Sequence, residues 1–228
     1  MPGLEFKITR VARSRDEAKH FYDRISKYYD TLASSTEKTY ILTGLDYLDV
    51  QPGEHVLEIG FGTGHALVEL ARSVGQEGHV YGVDLSSGMS RQARSRLRKY
   101  QLDSRVSLVT EDAIKLPFIK EVMDAVFISF TLELFQRHKI SQVISQCERV
   151  LKDNGRLCIV SLAKDQPLNF IGRVYEWLHK RFPKILDCRP IPVKAFLQQS
   201  AFHVLKHEEE RMWGLPISIT LAEKHPEK

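Results

Sequence analysis

A glycine-rich turn between an apolar run and a helical pattern is the feature that most limits the folds open to this chain. Residues 56–59 form an apolar run that contains Glu58, and three glycines follow at alternate positions, Gly60, Gly62 and Gly64. The next residues place apolar side chains at helical spacing, which predicts a strand, a tight turn and a helix. Glycines permit positive φ angles, and the first amides of the helix are unpaired donors. The turn therefore predicts a ligand site.

The spacing of these glycines separates several classes of nucleotide ligand. A dinucleotide-binding turn has the spacing G-x-G-x-x-G, whereas His65 stands where its third glycine would be. The triphosphate-binding sequence G-x-x-x-x-G-K-S/T occurs nowhere in the chain. Glu58 and the three glycines instead resemble motif I of the class I S-adenosylmethionine-dependent methyltransferases.

Strand and helix patterns alternate along the middle of the chain. The predicted strands cover 56–59, 79–84, 106–109, 122–130 and 156–162, and the predicted helices cover 65–74, 87–100 and 139–151. This alternation predicts an α/β fold with a parallel sheet, right-handed crossovers and a ligand crevice at the carboxyl ends of the strands.

A chain of 228 residues buries one substantial core, so we expect a single domain. Its parts are a helical cap over 1–50, a cofactor-binding core over 51–162, and a substrate cover with two closing strands over 163–228. In the cap, the aromatic residues around Tyr28 either pack on the sheet or close over the ligand. The helical pattern over 168–186 has a broad apolar face that packs on the core, roofs an acceptor pocket or contacts a membrane surface.

Three acids lie at the ends of three successive predicted strands. Asp84 lies 24 residues after Gly60, where an acid accepts hydrogen bonds from both hydroxyls of an unphosphorylated ribose. Asp112 is placed to accept from the exocyclic amine of adenine, with the Ala113 amide facing a ring nitrogen. Glu58 is placed to orient the cationic methionine end. Together the acids predict an adenosine-containing ligand.

Several further segments carry a closer resemblance. They are 56–64, 83–86 with Met89, 112–113 with 116–118, 128–130, and 149–152 before 155–157. Together they resemble the successive motifs of the menaquinone- and ubiquinone-biosynthesis C-methyltransferases and their small-molecule relatives, over about 22–162. The resemblance implies a Rossmann-like, seven-stranded, mostly parallel sheet with helices on both faces and one antiparallel strand near the carboxyl terminus. It also implies S-adenosyl-L-methionine as cofactor and S-adenosyl-L-homocysteine as product.

The resemblance and the acids together define a set of cofactor-binding residues. They are Tyr29, Glu58, Gly60, Phe61, Gly62, Thr63, Gly64, Asp84, Leu85, Met89, Asp112, Ala113 and Ser129. One stretch departs from the family pattern, because residues 131–135 read Thr-Leu-Glu-Leu-Phe where the quinone enzymes have Gly-Leu-Arg-Asn. This stretch borders the methyl acceptor, so the resemblance identifies the cofactor and leaves the acceptor open. The absence of Asn/Asp-Pro-Pro-Tyr/Phe argues against an amino-group methylase of adenine or glutamine.

Few residues are candidates for further chemistry. Methyl transfer from a sulfonium requires mainly orientation and exclusion of water. His20, Tyr29 and His138 are candidates for a base by position, and each has a structural alternative. His203 and His207 are predicted to share one face of a strand, but two isolated histidines make a poor metal site, so no metal is predicted.

Charge and cysteine content limit the partners. The net charge is +4, and the exposed face expected for Arg91, Arg94 and Arg98 is either solvated or an RNA contact. No aromatic residue is interleaved with these arginines, so we expect no nucleic acid partner. The three cysteines form no disulfide or zinc pattern, and the first residues lack the apolar core of a secretory signal, so we expect a cytoplasmic protein.

The sequence thus predicts an S-adenosylmethionine-dependent methyltransferase that acts on a small, apolar or aromatic acceptor, with a lipid-like molecule among the candidates. An RNA methyltransferase and a non-catalytic S-adenosylmethionine-binding module are the alternatives. The oligomeric state stays open.

Overall fold

The computed structural model describes residues 15–25, 35–164, 189–212 and 214–226. These residues contain a seven-stranded sheet in the order β3-β2-β1-β4-β5-β7-β6. The strands are β1 His55–Ile59, β2 His79–Asp84, β3 Val106–Thr110, β4 Met123–Ser129, β5 Leu151–Leu162, β6 Phe202–Met212 and β7 Leu215–Lys224. The helices are α1 Arg15–Ile25, α2 Ser35–Leu48, α3 His65–Ser73, α4 Ser87–Lys99, α5 Arg137–Val150 and α6 Val193–Leu197. Short 3₁₀ turns cover Asp103–Arg105 and Leu132–Leu134.

The direction of the strands confirms the predicted topology. β1 pairs in parallel with β2 and β4, and the parallel ladder continues to β3 on one side and β5 on the other. β7 runs antiparallel to both β5 and β6 and is therefore the one reversed strand of the sheet. The strand order reverses between β1 and β4, which is where an open α/β sheet forms its ligand crevice.

Alternation along the strands builds a core on each face of the sheet. Val56 and Phe127 belong to the apolar cluster beneath α2, α3 and α4. Leu57 and Ile128, one residue later in each strand, belong to the cluster beneath α5 and α6. Because both faces are covered, the central strands are almost continuously apolar, as the sequence of 122–130 indicated.

Two helices, α1 and α2, lie in the amino-terminal stretch where the sequence predicts a helical cap. The α2 helix packs on β5 and β7, and the Tyr40 hydroxyl donates to the Arg211 carbonyl at 3.0 Å. Tyr28, Tyr29 and the helix predicted over 168–186 lie outside the described residues. No helix in the described ranges is both long enough and apolar enough to cross a bilayer.

Two local features differ from the sequence prediction. Residues 152–155, between the helix predicted to end at 151 and the strand predicted to begin at 156, lie inside β5 as an irregularity, since Met123 pairs with Leu151 whereas Ala125 pairs with Arg156. In β6 the register shifts between Val204 and Lys206. As a result of this shift, His203 pairs with Glu223 and His207 pairs with Thr220.

Glu223 and Thr220 are an odd number of residues apart, so they face opposite sides of β7. Their partners His203 and His207 therefore lie on opposite faces of β6, and the prediction that these two histidines share a face is wrong. In the described part of the chain, no cluster of three or more histidine, cysteine or acidic residues is arranged to hold a metal.

Candidate functional site

The glycine turn leaves β1 at the carboxyl edge of the sheet and enters α3. Gly60, Gly62 and Gly64 have φ angles of +74°, +52° and +85°, which explains why glycine occupies all three positions. A Cβ atom on Gly60 would overlap Thr131, and one on Gly64 would lie 2.9 Å from the Ala93 side chain. A Cβ on Gly62 would meet nothing within 4 Å. The turn is therefore tightly packed at both ends and open in its middle, where a ligand can lie against the backbone.

Asp84 joins this turn to the next strand end. Its Oδ2 accepts a hydrogen bond from the Gly62 amide at 2.9 Å, and its Oδ1 accepts one from the Ser86 amide at 2.8 Å. Burial raises the pKa of Asp84 to about 6, and these two hydrogen bonds oppose the rise. The group is therefore ionised at neutral pH, and each of its oxygens keeps acceptor capacity for a ligand hydroxyl.

A carboxylate from α1 contacts the same region, which the sequence did not indicate. Asp23 Oδ1 accepts from the Ser86 hydroxyl at 2.6 Å and from the Gly88 amide at 2.7 Å. Burial opposes ionisation of Asp23, but these hydrogen bonds and the charges of nearby cations hold its pKa below the usual value. The Ser86 hydroxyl in turn accepts from the Met89 amide at 3.1 Å and so caps the start of α4. Asp23 thus attaches the helical cap to the start of α4.

Glu58 lies in β1 directly before the turn and is only 2% exposed. Burial, together with the charge of Asp84, raises the pKa of Glu58 to about 8. No described residue hydrogen bonds to its Oε2 atom. A buried carboxyl oxygen with no hydrogen bond is costly in a folded protein and is typical of ligand sites. Glu58 therefore fits a cationic ligand group, which would both pair with this oxygen and favour its ionisation.

The ends of β3 and β4 complete the edge. The Glu111 amide donates to the Asp84 carbonyl at 3.1 Å, which places the end of β3 beside the end of β2. Asp112 follows directly, and its Oδ1 accepts from the Ile114 amide at 3.0 Å. Ser129 ends β4, and its carbonyl accepts from the Thr131 hydroxyl at 2.8 Å. The structure therefore brings the predicted acids to one edge of the sheet.

Some predicted cofactor-binding residues point their side chains elsewhere. The side chains of Phe61 and Met89 belong to the apolar core, so only their backbone atoms are available to a ligand. Thr63 is buried, and Arg96 Nη1 donates to its carbonyl at 2.7 Å and to its hydroxyl at 3.0 Å. Leu85 is half-buried, and Ala113 is buried. Arg96 is therefore a support for the turn, a role that its position among the other arginines of α4 did not indicate.

Neither of the two described candidates for a base is buried. His20 on α1 and His138 near the start of α5 are both exposed, and Tyr29 lies outside the described residues. The exposed face predicted for Arg91, Arg94 and Arg98 is present on α4.

A buried acid, Glu133, lies beyond β4 in the stretch that departs from the quinone-enzyme pattern. Burial raises its pKa to about 8. Its Oε1 accepts from the Leu162 amide at 3.3 Å, and no described residue bonds to its Oε2. Arg189 donates to the carbonyl oxygens of Glu133, at 3.2 Å, and of Phe135. The carboxyl thus lies between the ends of β4 and β5, and only its place in the unusual 131–135 stretch could have indicated it.

Comparison with known proteins agrees with this geometry. A family model described as a methyltransferase domain matches residues 56–155. The ubiquinone/menaquinone biosynthesis C-methyltransferase UbiE of Azotobacter vinelandii is 30% identical over 173 residues, covering 74% of this chain and 67% of that protein. Its namesake from Vibrio parahaemolyticus is 28% identical over 175 residues, covering 76% and 66%. The matched regions span 63% to 68% of such relatives.

Solved structures share the fold. The cyclase SpnF superposes with a TM-score of 0.74 at 16% identity, covering 94% of this chain and 98% of that one. Geranyl diphosphate C-methyltransferase from Streptomyces coelicolor, solved with S-adenosyl-L-homocysteine, has a TM-score of 0.66 at 16% identity, covering 82% and 76%.

The strand order, the glycine turn and the row of carboxylates are those of a class I S-adenosylmethionine-dependent methyltransferase, and the chain belongs to that class. Its cofactor is S-adenosyl-L-methionine. Within the class, the chain is similar to the ubiquinone/menaquinone biosynthesis C-methyltransferases.

Proposed function

We propose that this protein transfers the methyl group of S-adenosylmethionine to a small, apolar or aromatic acceptor. The observation that carries the proposal is the arrangement of Gly62, Asp84 and Glu58. An open stretch of backbone, an ionised carboxylate and a buried carboxyl oxygen without a hydrogen bond lie together at one strand edge. These groups suit a ligand that carries sugar hydroxyls and a positive charge.

Each acid has a proposed task in holding the cofactor. Asp84 accepts from the ribose hydroxyls while it keeps its bonds to the turn, and Asp112 with the Ala113 amide recognises the adenine edge. Glu58 orients the cationic methionine end. The bound cofactor supplies an electrophilic methyl group, and the protein contributes by aligning the acceptor with that methyl and by excluding water.

The acceptor side of the site is proposed to lie at Thr131 and Glu133. Both follow β4, on the carboxyl edge of the sheet, and both depart from the quinone-enzyme pattern. The names of two relatives, a quinone-biosynthesis enzyme and a geranyl diphosphate enzyme, favour an acceptor with a large apolar part. The apolar pattern predicted over 168–186 suits a cover for such an acceptor or a contact with a membrane surface. Free, buried Cys147 and Cys158 are compatible with the cytoplasmic location that we propose.

Turnover needs a direct test, because one protein that shares the fold is a cyclase. S-adenosylmethionine with a deuterated methyl group is incubated with the protein and a small-molecule extract of host cells, and labelled products are identified by mass spectrometry. We expect a labelled apolar compound with the wild-type protein and about 10- to 100-fold less of it with Asp84→Asn at a subsaturating cofactor concentration. Tight cofactor binding without any labelled small molecule would instead favour a non-catalytic binding module. Label in the RNA fraction of a whole-cell extract would favour the RNA alternative.

A further inference from the structure

One buried residue, Ser86, bridges two carboxylates that come from different elements. Its amide donates to Asp84 Oδ1 at 2.8 Å, and its hydroxyl donates to Asp23 Oδ1 at 2.6 Å. Asp84 ends β2, whereas Asp23 lies on α1. Ser86 is only 1% exposed, so solvent does not compete for its hydroxyl. The carboxylate that we assign to the ribose is therefore linked to the helical cap through a single residue.

Asp23 also holds the first turn of α4. The Gly88 amide donates to the same Asp23 oxygen at 2.7 Å, and the Met89 amide donates to the Ser86 hydroxyl at 3.1 Å. Amides in the first turn of a helix have no partner inside the helix, and the helix dipole favours an anion there. Since α1 packs on α4, the Asp23 carboxylate fastens the cap to the segment that leads from β2 into α4.

The orientation of Asp84 depends on this segment. Asp84 Oδ2 is held by the Gly62 amide at 2.9 Å and Oδ1 by the Ser86 amide. An ionised carboxylate held in this way keeps one acceptor direction on each oxygen for a ribose hydroxyl. A displaced Ser86 would release Oδ1 and let the carboxylate rotate. Asp23 therefore restricts Asp84 by restricting Ser86.

The charge of Asp23 acts in the opposite direction to its hydrogen bonds. Burial is the main reason why the pKa of Asp84 rises to about 6, and the charge of Asp23 adds to the rise. Lys19 on α1 and Arg91 on α4 are the cations that favour ionised Asp23. Glu58 on β1 is a further acid coupled to Asp84. A neutral acceptor at position 23 would keep the hydrogen bonds and remove the repulsion.

We infer that Asp23 is a positioning residue for the cofactor, because it holds the segment that orients Asp84. Docking of α1 and binding of S-adenosylmethionine therefore stabilise each other. Such coupling is reciprocal, so the bound cofactor also strengthens the attachment of α1. The inference rests on the proposed contact between Asp84 and the ribose, and it requires no contact between Asp23 and the cofactor.

Calorimetry of S-adenosylhomocysteine binding at pH 8 tests the inference. Asp23→Ala should weaken binding about tenfold, because two hydrogen bonds to a charged group are lost. Asp23→Asn should stay within about threefold of the wild type, since its side-chain oxygen accepts the same two bonds. Glu17→Ala, which removes an exposed acid of the same helix, is the control and should bind like the wild type. In the Asp84→Asn background, adding Asp23→Ala should cost less than about twofold, because Asp23 acts through Asp84.

Two further measurements separate positioning from general stabilisation. The ratio of the Asp23→Asn to the wild-type association constant should rise as the pH falls from about 8 to about 5.5, because removing the charge eases ionisation of Asp84. This ratio cancels the titration of the ligand, and a residue that only stabilised the fold would leave it constant. In hydrogen exchange followed by mass spectrometry, S-adenosylhomocysteine should slow exchange of the α1 amides in the wild type and not in Asp23→Ala.

Several results would overturn the inference. They are wild-type affinity in Asp23→Ala, an equal loss in Asp23→Ala and Asp23→Asn, and an undiminished loss when Asp84→Asn is already present. If Asp84→Asn itself binds like the wild type, the proposed ribose contact fails and the inference fails with it. A loss in Asp84→Asn without a loss in Asp23→Ala would overturn only the role of Asp23. Far-ultraviolet circular dichroism of each variant verifies that the compared proteins are folded.

Discussion

The unpaired buried carboxyl of Glu58 makes the affinity for S-adenosylmethionine depend on pH in a way that can be calculated. With a pKa of about 8 in the free protein, Glu58 is roughly nine-tenths protonated at pH 7. A bound cation favours the carboxylate, so binding expels this proton. Ionising the group first costs about 1.4 kcal/mol at pH 7 and about twice that at pH 6. The cofactor therefore binds more tightly as the pH rises towards 8.

The ionised fraction of Glu58 rises about 50-fold between pH 6 and pH 8, and the affinity follows it as long as the pKa in the complex falls below 6. The Glu58→Gln variant has no such proton to lose. The ratio of wild-type to variant association constants cancels the titration of the ligand and of Asp84, so this ratio should rise about 50-fold over that range. Isothermal titration calorimetry at pH 6, 7 and 8 measures it. A ratio that stays constant would refute the assignment of Glu58 to the cationic end of the cofactor.

Three other substitutions test separate parts of the structure. Burial raises the pKa of Glu133 from 4.5 to about 8, so between these values the folded state holds a proton that the unfolded chain loses, and the free energy of unfolding falls by up to about 1.4 kcal/mol per pH unit. Urea unfolding between pH 5.5 and 7.5 should therefore show a smaller decline of this free energy in Glu133→Gln than in the wild type. Parallel declines in the two proteins would contradict this. Arg96→Ala removes two hydrogen bonds to the glycine turn and should weaken S-adenosylhomocysteine binding about tenfold in calorimetry, whereas the exposed control Arg94→Ala stays within about twofold. Gly60→Ala and Gly53→Ala both place alanine at a positive φ, but only the new Cβ atom at Gly60 overlaps a neighbouring side chain. Gly60→Ala should therefore lower the free energy of unfolding by about 1–3 kcal/mol more than Gly53→Ala does. Equal losses would show that the turn relaxes freely.

The parts of the fold that depend on local patterns could be predicted from the sequence. Apolar runs of strand length alternating with helical spacing predicted the parallel half of the sheet, and the resemblance to a known family added the reversed strand. Glu58, Asp84 and Asp112 were recognisable because each lies at or just beyond a strand end, and parallel strands end on the same edge. The spacing of the three glycines predicted the open turn.

The features that could not be predicted depend on contacts between distant residues. Asp23 contacts Ser86, 63 residues away, and no pattern in α1 distinguishes this acid from the exposed Glu17 on the same helix. Arg96 carries the same charge as the exposed arginines beside it, and only the packing of α4 against the turn shows its different role. The shift of register near Leu205 places His203 and His207 on opposite faces of β6. Periodicity could not predict this, because it assumes a strand without irregularities.

The central claim is that the carboxylate ending β2 holds the ribose of the cofactor. The most direct measurement is calorimetry of S-adenosylhomocysteine binding to the wild type, to Asp84→Asn and to Asp103→Asn as a control. The Asp103 side chain is exposed and lies in the Asp103–Arg105 turn. Replacing the ionised acceptor of two ribose hydroxyls should weaken binding by about 10- to 100-fold, because hydrogen bonds to charged groups contribute about 1.5–3 kcal/mol. The control should bind like the wild type. Equal affinity in Asp84→Asn and the wild type would contradict the account.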